Sequence, residues 1–160
     1  MITAATKSVD DTRALAAEIA VLAAPGDLIV LAGDLGTGKT AFVQGFARGL
    51  GVQERVTSPA FVLVRTYDGR LPMVHLDVYR LDHMQELVDL GIAELLDEGA
   101  VTLVEWGDAV TPALPADFLE VRLEAAEAPD DRFLTVRSVG PAWPPRADAL
   151  RRVLGAWTVA

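Results

Sequence analysis

Four stretches of the chain carry apolar residues at helical spacing, and each has a recognisable boundary. The first is expected to be capped by Asp10 or Asp11, and the second to end at Gly49 or Gly51. The third is expected to break near Gly91, because glycine is unfavourable inside a helix. The predicted helices are 10–24, 39–51, 83–99 and 144–160.

Shorter apolar runs lie between these helices and predict strands of two kinds. Two runs, 27–33 and 100–106, are almost continuously apolar, which is typical of strands buried on both faces of a sheet. The other runs pair as hairpins, one turning at Asp68-Gly69 and the other alternating apolar and polar residues around a short linker. The predicted hairpins are 60–68 with 71–81, and 117–125 with 131–139. These elements together predict an α/β fold in which helices flank a central mixed sheet.

The composition limits which kinds of protein this chain can be. Its 160 residues suit one domain, residues 1–160, and 51% of them are apolar, which is ample for a core. The lack of cysteine excludes disulfides, thiolate catalysis and cysteine-based zinc sites. No apolar run is long enough to span a bilayer, and the first residues do not read as a secretory signal. We therefore expect a cytoplasmic protein without membrane contact.

The charge balance argues against a surface that coats nucleic acid. The formal net charge is −9, whereas phosphate neutralisation by Lys and Arg supplies most non-specific affinity for nucleic acid. The one basic cluster that stands out is small and consists of Arg146, Arg151 and Arg152. If the chain serves a nucleic-acid pathway, we expect it to contact the nucleic acid through a partner.

The stretch GDLGTGKT, Gly33–Thr40, meets the pattern G-x-x-x-x-G-K-[ST] of a phosphate-binding loop and adds a further glycine, Gly36. Such a loop wraps backbone N–H groups around a phosphate, and glycine permits the close turn. The loop must follow a strand and open a helix, whose positive dipole end then faces the anion, and both elements are predicted. Lys39 is expected to reach the outer phosphates, and the Thr40 hydroxyl to bind Mg²⁺.

Catalysis at such a loop also requires an acidic residue at the end of a neighbouring buried strand. Asp77 ends one predicted strand, and Glu105 ends another. His75 shares a face with Asp77, so it is either a partner of that acid or a histidine held in a polar pocket. Trp106 points to the opposite face from Glu105 if the strand persists, and core packing is its ordinary explanation.

The loop alone leaves the reaction open. The N/T-K-x-D element typical of GTPases is absent from the later part of the chain, which favours ATP. A small-molecule kinase and a non-catalytic nucleotide-sensing module are the alternatives to an ATPase. The acidic composition of 83–99 argues against the arginine-bearing lid of small kinases, and the two intact acids argue against the sensor.

Four segments in order, GDLGTGKT, VTSPAF, HLDVYRL and LVEWGD, resemble the TsaE (YjeE) family of small bacterial P-loop ATPases. Their order, their spacing and the total length match over nearly the whole chain. The H-x-D-x-Y-R and E-W elements make the resemblance far more specific than the loop does. The resemblance implies a P-loop NTPase-like domain.

The resemblance also implies a pathway and partners. Family members take part in forming N6-threonylcarbamoyladenosine at position 37 of tRNAs that read codons beginning with A. They act in a complex with the TsaB and TsaD proteins, in which TsaD is the transferase and the TsaE-like subunit hydrolyses ATP with Mg²⁺. This chain is therefore expected to hydrolyse ATP slowly alone and faster with partners, and to meet tRNA only through the complex.

Individual residues receive roles from the same resemblance. Asp77 matches a water-orienting or basic aspartate, Glu105 matches a metal-associated glutamate, and Thr40 takes the Mg²⁺ position beside the phosphate-binding Lys39. Thr12 is expected near the nucleotide base. The residues expected at the nucleotide are Gly33, Asp34, Leu35, Gly36, Thr37, Gly38, Lys39, Thr40, Ala41, Thr12 and Asp108.

Two positions depart from the family pattern. Ala60 stands where the family has a threonine, so Thr57 or Ser58 is the alternative source of a hydroxyl for the metal or the γ-phosphate. Asp108 stands where the family has a glutamate and is one methylene shorter. The sequence places no internal arginine at the site, so Arg80 or a residue of a partner is the candidate for that role.

Overall fold

The computed structural model describes residues 1–58, 64–78, 89, 91–105 and 114–159. The strands are β1 (Ile2–Thr6), β2 (Leu28–Ala32), β3 (Val64–Tyr67), β4 (Met73–Asp77), β5 (Val101–Glu105), β6 (Phe118–Ala125) and β7 (Arg132–Val139). The helices are α1 (Val9–Val21), α2 (Lys39–Gly49), α3 (Ile92–Asp97) and α4 (Ala147–Val153), with a 3₁₀ turn at Pro144–Arg146.

The strands of the described chain form one mixed sheet in the order β1-β7-β6-β2-β5-β4-β3. Strands β4, β5, β2 and β6 run parallel to one another, and antiparallel pairs lie at both edges. Both predicted hairpins are confirmed in their described parts, and so is the α/β fold with its central mixed sheet. Strand β2 therefore ends in the middle of the sheet, next to the ends of β5 and β6.

The first hairpin has a longer turn than the predicted pair Asp68-Gly69. Tyr67 is paired with Met73, so residues 68–72 form the connection. Gly69 is required there for close approach, because a Cβ at that position would lie 2.6 Å from the carbonyl oxygen of Leu50. Gly69 lies in the turn as predicted, and glycine is needed there because a side chain would clash with the backbone after α2.

Apolar side chains cover both faces of the sheet. Successive residues of β2 alternate between two core clusters: Ile29 and Leu31 join the cluster that includes α1 and α2, and Leu28 and Val30 join the cluster on the other face. Strands β2, β4 and β5 are buried at every position, as expected for parallel strands covered on both sides. Because these strands are packed on both faces, their last residues, Asp77 of β4 and Glu105 of β5, are held in place by the sheet.

The start of α1 differs from its prediction. Ser8 is the N-cap: its hydroxyl accepts a hydrogen bond from the backbone N–H of Asp11 at 2.9 Å. The Asp11 carboxylate accepts from the backbone N–H of Lys7, the residue before the cap, at 2.9 Å. The prediction of Asp10 or Asp11 as the cap is wrong, because the Ser8 hydroxyl accepts the N–H at the start of the helix and Asp11 lies inside the first turn.

The C-terminal helix is shorter than predicted. It ends at Val153, and the following residues turn back so that Thr158 bridges to Ala4 of β1. The three arginines of the small basic cluster do not share one surface, because Arg146 precedes the helix and Arg151 and Arg152 lie on it. The Arg146 guanidinium stacks on the Trp143 ring at 3.8 Å and binds the Asp27 carboxylate through both terminal nitrogens, at 2.6 and 2.8 Å.

Helices α1 and α2 pack closely through glycine. A Cβ on Gly45 would lie 2.1 Å from the carbonyl oxygen of Arg13, and one on Gly49 would lie 2.5 Å from that of Ala17. The two backbones can touch only because these positions lack side chains. As predicted, α2 ends at Gly49, and Gly51 follows with a φ of 79°. No helix in the described part of the chain is long and apolar enough to cross a membrane.

Candidate functional site

The loop between β2 and α2 has the backbone conformation that its glycines permit. Gly33, Gly36 and Gly38 all have positive φ, at 139°, 81° and 102°. A Cβ on Gly33 would lie 2.4 Å from the carbonyl oxygen of Leu123, so this position also requires close approach. The Thr37 hydroxyl donates to the carbonyl of Asp34 at 2.7 Å and closes the loop. The loop then opens α2 at its N-terminus, as the motif predicts.

Lys39 lies along the inside of this loop. Its Nζ donates to the carbonyl oxygens of Gly33 at 2.7 Å and Asp34 at 2.9 Å, and the residue is only 4% exposed. A buried ammonium needs such acceptors, because an unpaired charge is costly away from water. The lysine is therefore not the solvated surface residue of an ordinary glycine-rich turn.

The two strand-end acids lie side by side. Asp77 of β4 is paired in register with Glu105 of β5, and both residues are buried. The Thr40 hydroxyl donates to the two carboxylate oxygens of Glu105, at 3.1 and 3.2 Å. The sheet thus brings a carboxylate from β5 to the first turn of α2, which is 65 residues away in the sequence.

His75 contacts a different acid from the one that its spacing indicated. Its Nε2 lies 2.5 Å from Oε2 of Glu105, and the ring is fully buried. His75 stands two residues before Asp77, but β4 pairs with β5, so the nearest acceptor comes from the neighbouring strand. Of the two interpretations of His75, the one that makes it a partner of Asp77 is wrong in the identity of the acid. His75 and Thr40 together hold the Glu105 carboxylate from two sides.

Ser58 is the hydroxyl residue that reaches the site. Its Oγ donates to Oδ2 of Asp77 at 3.3 Å. The backbone N–H of Thr57 instead donates to the Tyr67 hydroxyl at 3.4 Å. Of the two alternatives to the hydroxyl missing at Ala60, the structure therefore places Ser58 next to the strand-end acid.

These groups surround a cavity of about 440 Å³, called here the loop cavity. It spans the phosphate-loop motif, the first turn of α2 and both strand ends. Its lining residues are Val9, Leu35, Gly36, Gly38, Lys39, Thr40, Ala41, Ser58, Asp77, Glu105 and Arg132. Gly33, Asp34 and Thr37 do not line the cavity; they shape the loop through the contacts given above.

Thr12 lies beside this cavity rather than in it. Its hydroxyl is 2.8 Å from that of Thr6, and the residue is buried. It borders a much smaller cavity of about 20 Å³, which also touches Gly38, Ala41 and Arg132. The residue is close to the first turn of α2, but its hydroxyl already has a partner within the fold.

Arg132, the first residue of β7, is the site residue that the sequence did not reveal. Its guanidinium donates to the carbonyls of Gly36 at 3.1 Å and Thr37 at 3.0 Å, and so holds the loop in place. β6 runs parallel to β2, so the turn from β6 into β7 lies at the same sheet edge as the loop. Only the strand order of the sheet could have predicted this position, because Arg132 reaches the loop through the pairing of β6 with β2.

Four residues of the sequence-based site lie outside the described residues: Ala60, Arg80, Trp106 and Asp108. Among the residues that are described, no group of three or more His, Asp or Glu side chains could hold a metal ion by itself. The Thr40 hydroxyl and the Glu105 carboxylate are hard oxygen donors of the kind that Mg²⁺ prefers. Mg²⁺ usually takes one or two protein ligands and completes its shell with phosphates and water, so this donor pair fits that ion.

Comparison with known proteins shows the family of the chain. The family model described as "Threonylcarbamoyl adenosine biosynthesis protein TsaE" matches residues 6–133. The Bacillus subtilis tRNA threonylcarbamoyladenosine biosynthesis protein TsaE is 40% identical over 144 residues, which cover 89% of each chain. The Streptomyces coelicolor protein of the same name is 40% identical over 139 residues, covering 82% of this chain and 93% of that one.

A solved structure is also similar. The crystal structure of YdiB from Bacillus subtilis superposes with a TM-score of 0.81 at 36% sequence identity. The match covers 95% of this chain and 97% of the other. The similarity therefore covers nearly the whole chain.

Proposed function

The chain belongs to the TsaE family of tRNA threonylcarbamoyladenosine biosynthesis proteins, and we propose that it is the subunit that hydrolyses ATP in that pathway. One observation carries the proposal: a phosphate-loop lysine, a helix-opening threonine and two strand-end carboxylates line one cavity. A volume of about 440 Å³ is in the ordinary range for a small-molecule site.

The loop supplies the binding of phosphates in this proposal. The N–H groups at the start of α2 and the dipole of that helix attract an anion, and the Lys39 ammonium neutralises its outer phosphates. Lys39 now donates to the carbonyls of Gly33 and Asp34, so it is held in place before any ligand arrives. Such pre-organisation reduces the entropy that binding must overcome. Gly33, Asp34 and Thr37 fix the loop, and Leu35, Gly36, Gly38 and Ala41 face the ligand.

Thr40 and Glu105 would hold Mg²⁺, either directly or through water. Mg²⁺ supplies charge neutralisation between the phosphates when it is bound. The His75 ring, which is fully buried, contacts Oε2 of Glu105 and so fixes the direction of the carboxylate. The donor pair between Thr40 and Glu105 is thus arranged before metal binding.

Asp77 would orient the attacking water. It stands next to Glu105 in the register and accepts from Ser58, so its carboxylate borders the same cavity. Hydrolysis at such a site is mostly positioning and charge stabilisation. Arg132 is already engaged with the loop carbonyls, so charge stabilisation at the terminal phosphate falls to Arg80 or to a partner. Slow turnover by the isolated chain follows from this division.

We further propose that the chain works with the TsaB and TsaD proteins and meets tRNA only through them. The net charge of −9 supports an indirect contact with tRNA. The test is a reconstitution with purified TsaB, TsaD and the enzyme that forms threonylcarbamoyl-adenylate, together with unmodified tRNA, threonine, bicarbonate and ATP. The modified nucleoside is counted over many turnovers with this chain, without it, and with its Lys39→Ala variant.

We expect repeated turnovers only with the unaltered chain. Lys39→Ala should lower ATP affinity at least about 100-fold, because the phosphates lose their one ammonium partner from the loop. Circular dichroism and urea unfolding serve as the control that the variant is folded. Equal yields without the chain would refute the pathway role. Unchanged ATP affinity in a folded Lys39→Ala variant would refute the loop assignment.

A further inference from the structure

A second cavity of about 370 Å³, called here the basic cleft, lies at the other end of α2. It is formed by α1, the later turns of α2 and the segment that follows α2. Its lining residues are Arg13, Gln44, Ala47, Arg48, Val52, Gln53, Glu54, Arg55 and Val56. Three arginines and one glutamate therefore meet in a cleft of a chain whose overall charge is −9.

One of these arginines is part of the fold. Arg13 donates through Nε and Nη2 to Oε1 of Gln44, at 3.1 and 3.0 Å, and through Nη1 to Asp10 at 2.8 Å. Gln44 in turn donates to the carbonyl of Val56 at 3.1 Å. These bonds tie α1, α2 and the segment after α2 together and form the floor of the cleft.

The other two arginines have no such role. Arg48 and Arg55 are exposed, and neither side chain has a hydrogen bond or an ion pair within the described part of the chain. Favourable interaction with the helix dipole accounts for Arg48, which stands in the last turn of α2. It does not account for Arg55, which lies six residues beyond the end of that helix.

The charges of Arg48 and Arg55 indicate an anionic ligand. Two guanidinium groups without a partner among the described residues match one or two carboxylates, and the planar guanidinium binds carboxylate through two parallel hydrogen bonds. A nucleic acid is the poorer match, because its backbone needs an extended row of cations and the rest of this chain repels polyanions. Glu54 further lowers the positive charge at the cleft.

We propose that the basic cleft is a docking site for a short acidic segment of a partner protein, held by Arg48 and Arg55. The cleft is joined to the loop cavity by one stretch of chain: Val56 is bound to Gln44, and two residues later Ser58 donates to Asp77. A segment bound to Arg55 therefore contacts the stretch 55–58, whose last residue donates a hydrogen bond to Asp77. Docking and nucleotide binding are thereby coupled, and this coupling, unlike the docking itself, rests on the proposed function.

The test uses a fluorescein-labelled octapeptide with four glutamates, titrated with the full chain and followed by anisotropy at low and at raised salt. Saturable, salt-sensitive binding is expected, and Arg48→Gln with Arg55→Gln should weaken it about tenfold. Arg151→Gln with Arg152→Gln is the matched control, because this pair is exposed on α4 and should leave the affinity unchanged. Equal binding by both double variants, or no saturable binding, would overturn the proposal.

A labelled single-stranded RNA of eight nucleotides is titrated in parallel. If RNA binds more tightly than the peptide and loses affinity with Arg48→Gln and Arg55→Gln, the cleft is a nucleic-acid site and the proposal is wrong. The Lys39→Ala variant should bind the peptide as the unaltered chain does, because the docking site does not include the loop. Peptide binding therefore succeeds or fails independently of ATP binding.

The coupling has its own readout. Saturating peptide should change the affinity for a fluorescent ATP analogue about fivefold in the unaltered chain, and the nucleotide should change the peptide affinity by the same factor. The variant carrying Arg48→Gln and Arg55→Gln should show neither shift, and without peptide it should bind nucleotide normally. If the unaltered chain binds nucleotide normally and the peptide does not change that affinity, the coupling is refuted and the proposed function stands.

Discussion

The loop cavity and the basic cleft lie at opposite ends of α2, have similar volumes and are built in opposite ways. The loop cavity is lined by backbone and by buried polar side chains, of which Lys39, Glu105 and Asp77 are each at most 5% exposed. The basic cleft takes its charge from side chains that largely remain in water. One helix thus carries a rigid polar site at its start and an adaptable one near its end.

This difference follows from the cost of burial. A polar group withdrawn from water must keep its hydrogen bonds, so the geometry around Glu105 and Lys39 is fixed by the fold. An exposed arginine is bound by water and needs no protein partner until a ligand displaces that water. The first kind of site suits chemistry, which requires position, and the second suits docking, which tolerates movement.

Gly45→Ala should affect both cavities, because α2 belongs to both. Helix propensity alone predicts a gain of about 1 kcal/mol for this change. The new Cβ would lie 2.1 Å from a backbone oxygen of Arg13, so α1 and α2 must separate, and we expect a net loss of about 3 kcal/mol. Urea unfolding measures the free energy, and the sign of the change decides between the two accounts.

The control for this change is Gly155→Ala, because a Cβ there would lie 3.3 Å from the carbonyl oxygen of Arg152, a contact that a shift of a few tenths of an ångström relieves, and the position lies outside the contact of α1 with α2. Its effect should stay within about 0.5 kcal/mol. A stabilised Gly45→Ala variant would show that the two helices can separate without cost.

His75→Leu should affect the loop cavity and leave the basic cleft unchanged. The substitution removes the donor that faces Oε2 of Glu105 and leaves a buried carboxylate with one partner fewer. We expect the protein to lose about 2 kcal/mol of stability and the nucleotide affinity to lose its dependence on Mg²⁺. Calorimetric titration of a non-hydrolysable ATP analogue, with and without Mg²⁺, measures the second effect.

His75→Gln is the conservative variant, since its amide can still donate to Glu105, and it should restore most of the Mg²⁺ dependence. Binding of the acidic peptide at the basic cleft should be equal in both variants. A His75→Leu protein that keeps its full Mg²⁺ dependence would show that Glu105 does not need His75 to hold its direction.

The contrast also explains how much the sequence could predict. The loop, Asp77 and Glu105 were found because each stands at a fixed place in a local pattern, a strand followed by a turn or by its last residue. The mixed sheet and both hairpins followed from apolar periodicity in the same way. The pairing of Asp77 with Glu105 was not predicted, because it depends on β4 and β5 being neighbours in the sheet.

The features that could not be predicted from the sequence depend on which strands are neighbours in the sheet. The sequence offers Asp77, two residues away, as one of two interpretations of His75, whereas its partner is Glu105 on the neighbouring strand. Arg132 and β1 were missed because both depend on β7, whose place in the sheet no local pattern records. The basic cleft was missed for the same reason, since Arg13 and Arg55 lie 42 positions apart and meet only through the packing of α1 on α2.

Arg132→Lys should produce the smallest of these effects, confined to the loop cavity. Lysine keeps the charge but loses the planar fork that now donates to Gly36 and Thr37 together. We expect about tenfold weaker binding of the ATP analogue, which corresponds to about 1.4 kcal/mol, and faster amide hydrogen exchange within 33–38. Arg137→Lys is the control, because this arginine lies on the same strand and binds Glu120 at the surface.

The exchange rate is the more decisive of these two readouts, because it is measured without nucleotide. If Arg132 pre-organises the loop, exchange rises in the empty Arg132→Lys protein and the affinity falls in proportion to the lost order. If the affinity falls while exchange stays constant, the guanidinium acts on the ligand itself, and its bonds to the loop carbonyls are incidental. The rigidity of the loop cavity would then come from the glycines and Lys39 alone, and the contrast with the basic cleft would rest on burial rather than on a clamp from β7.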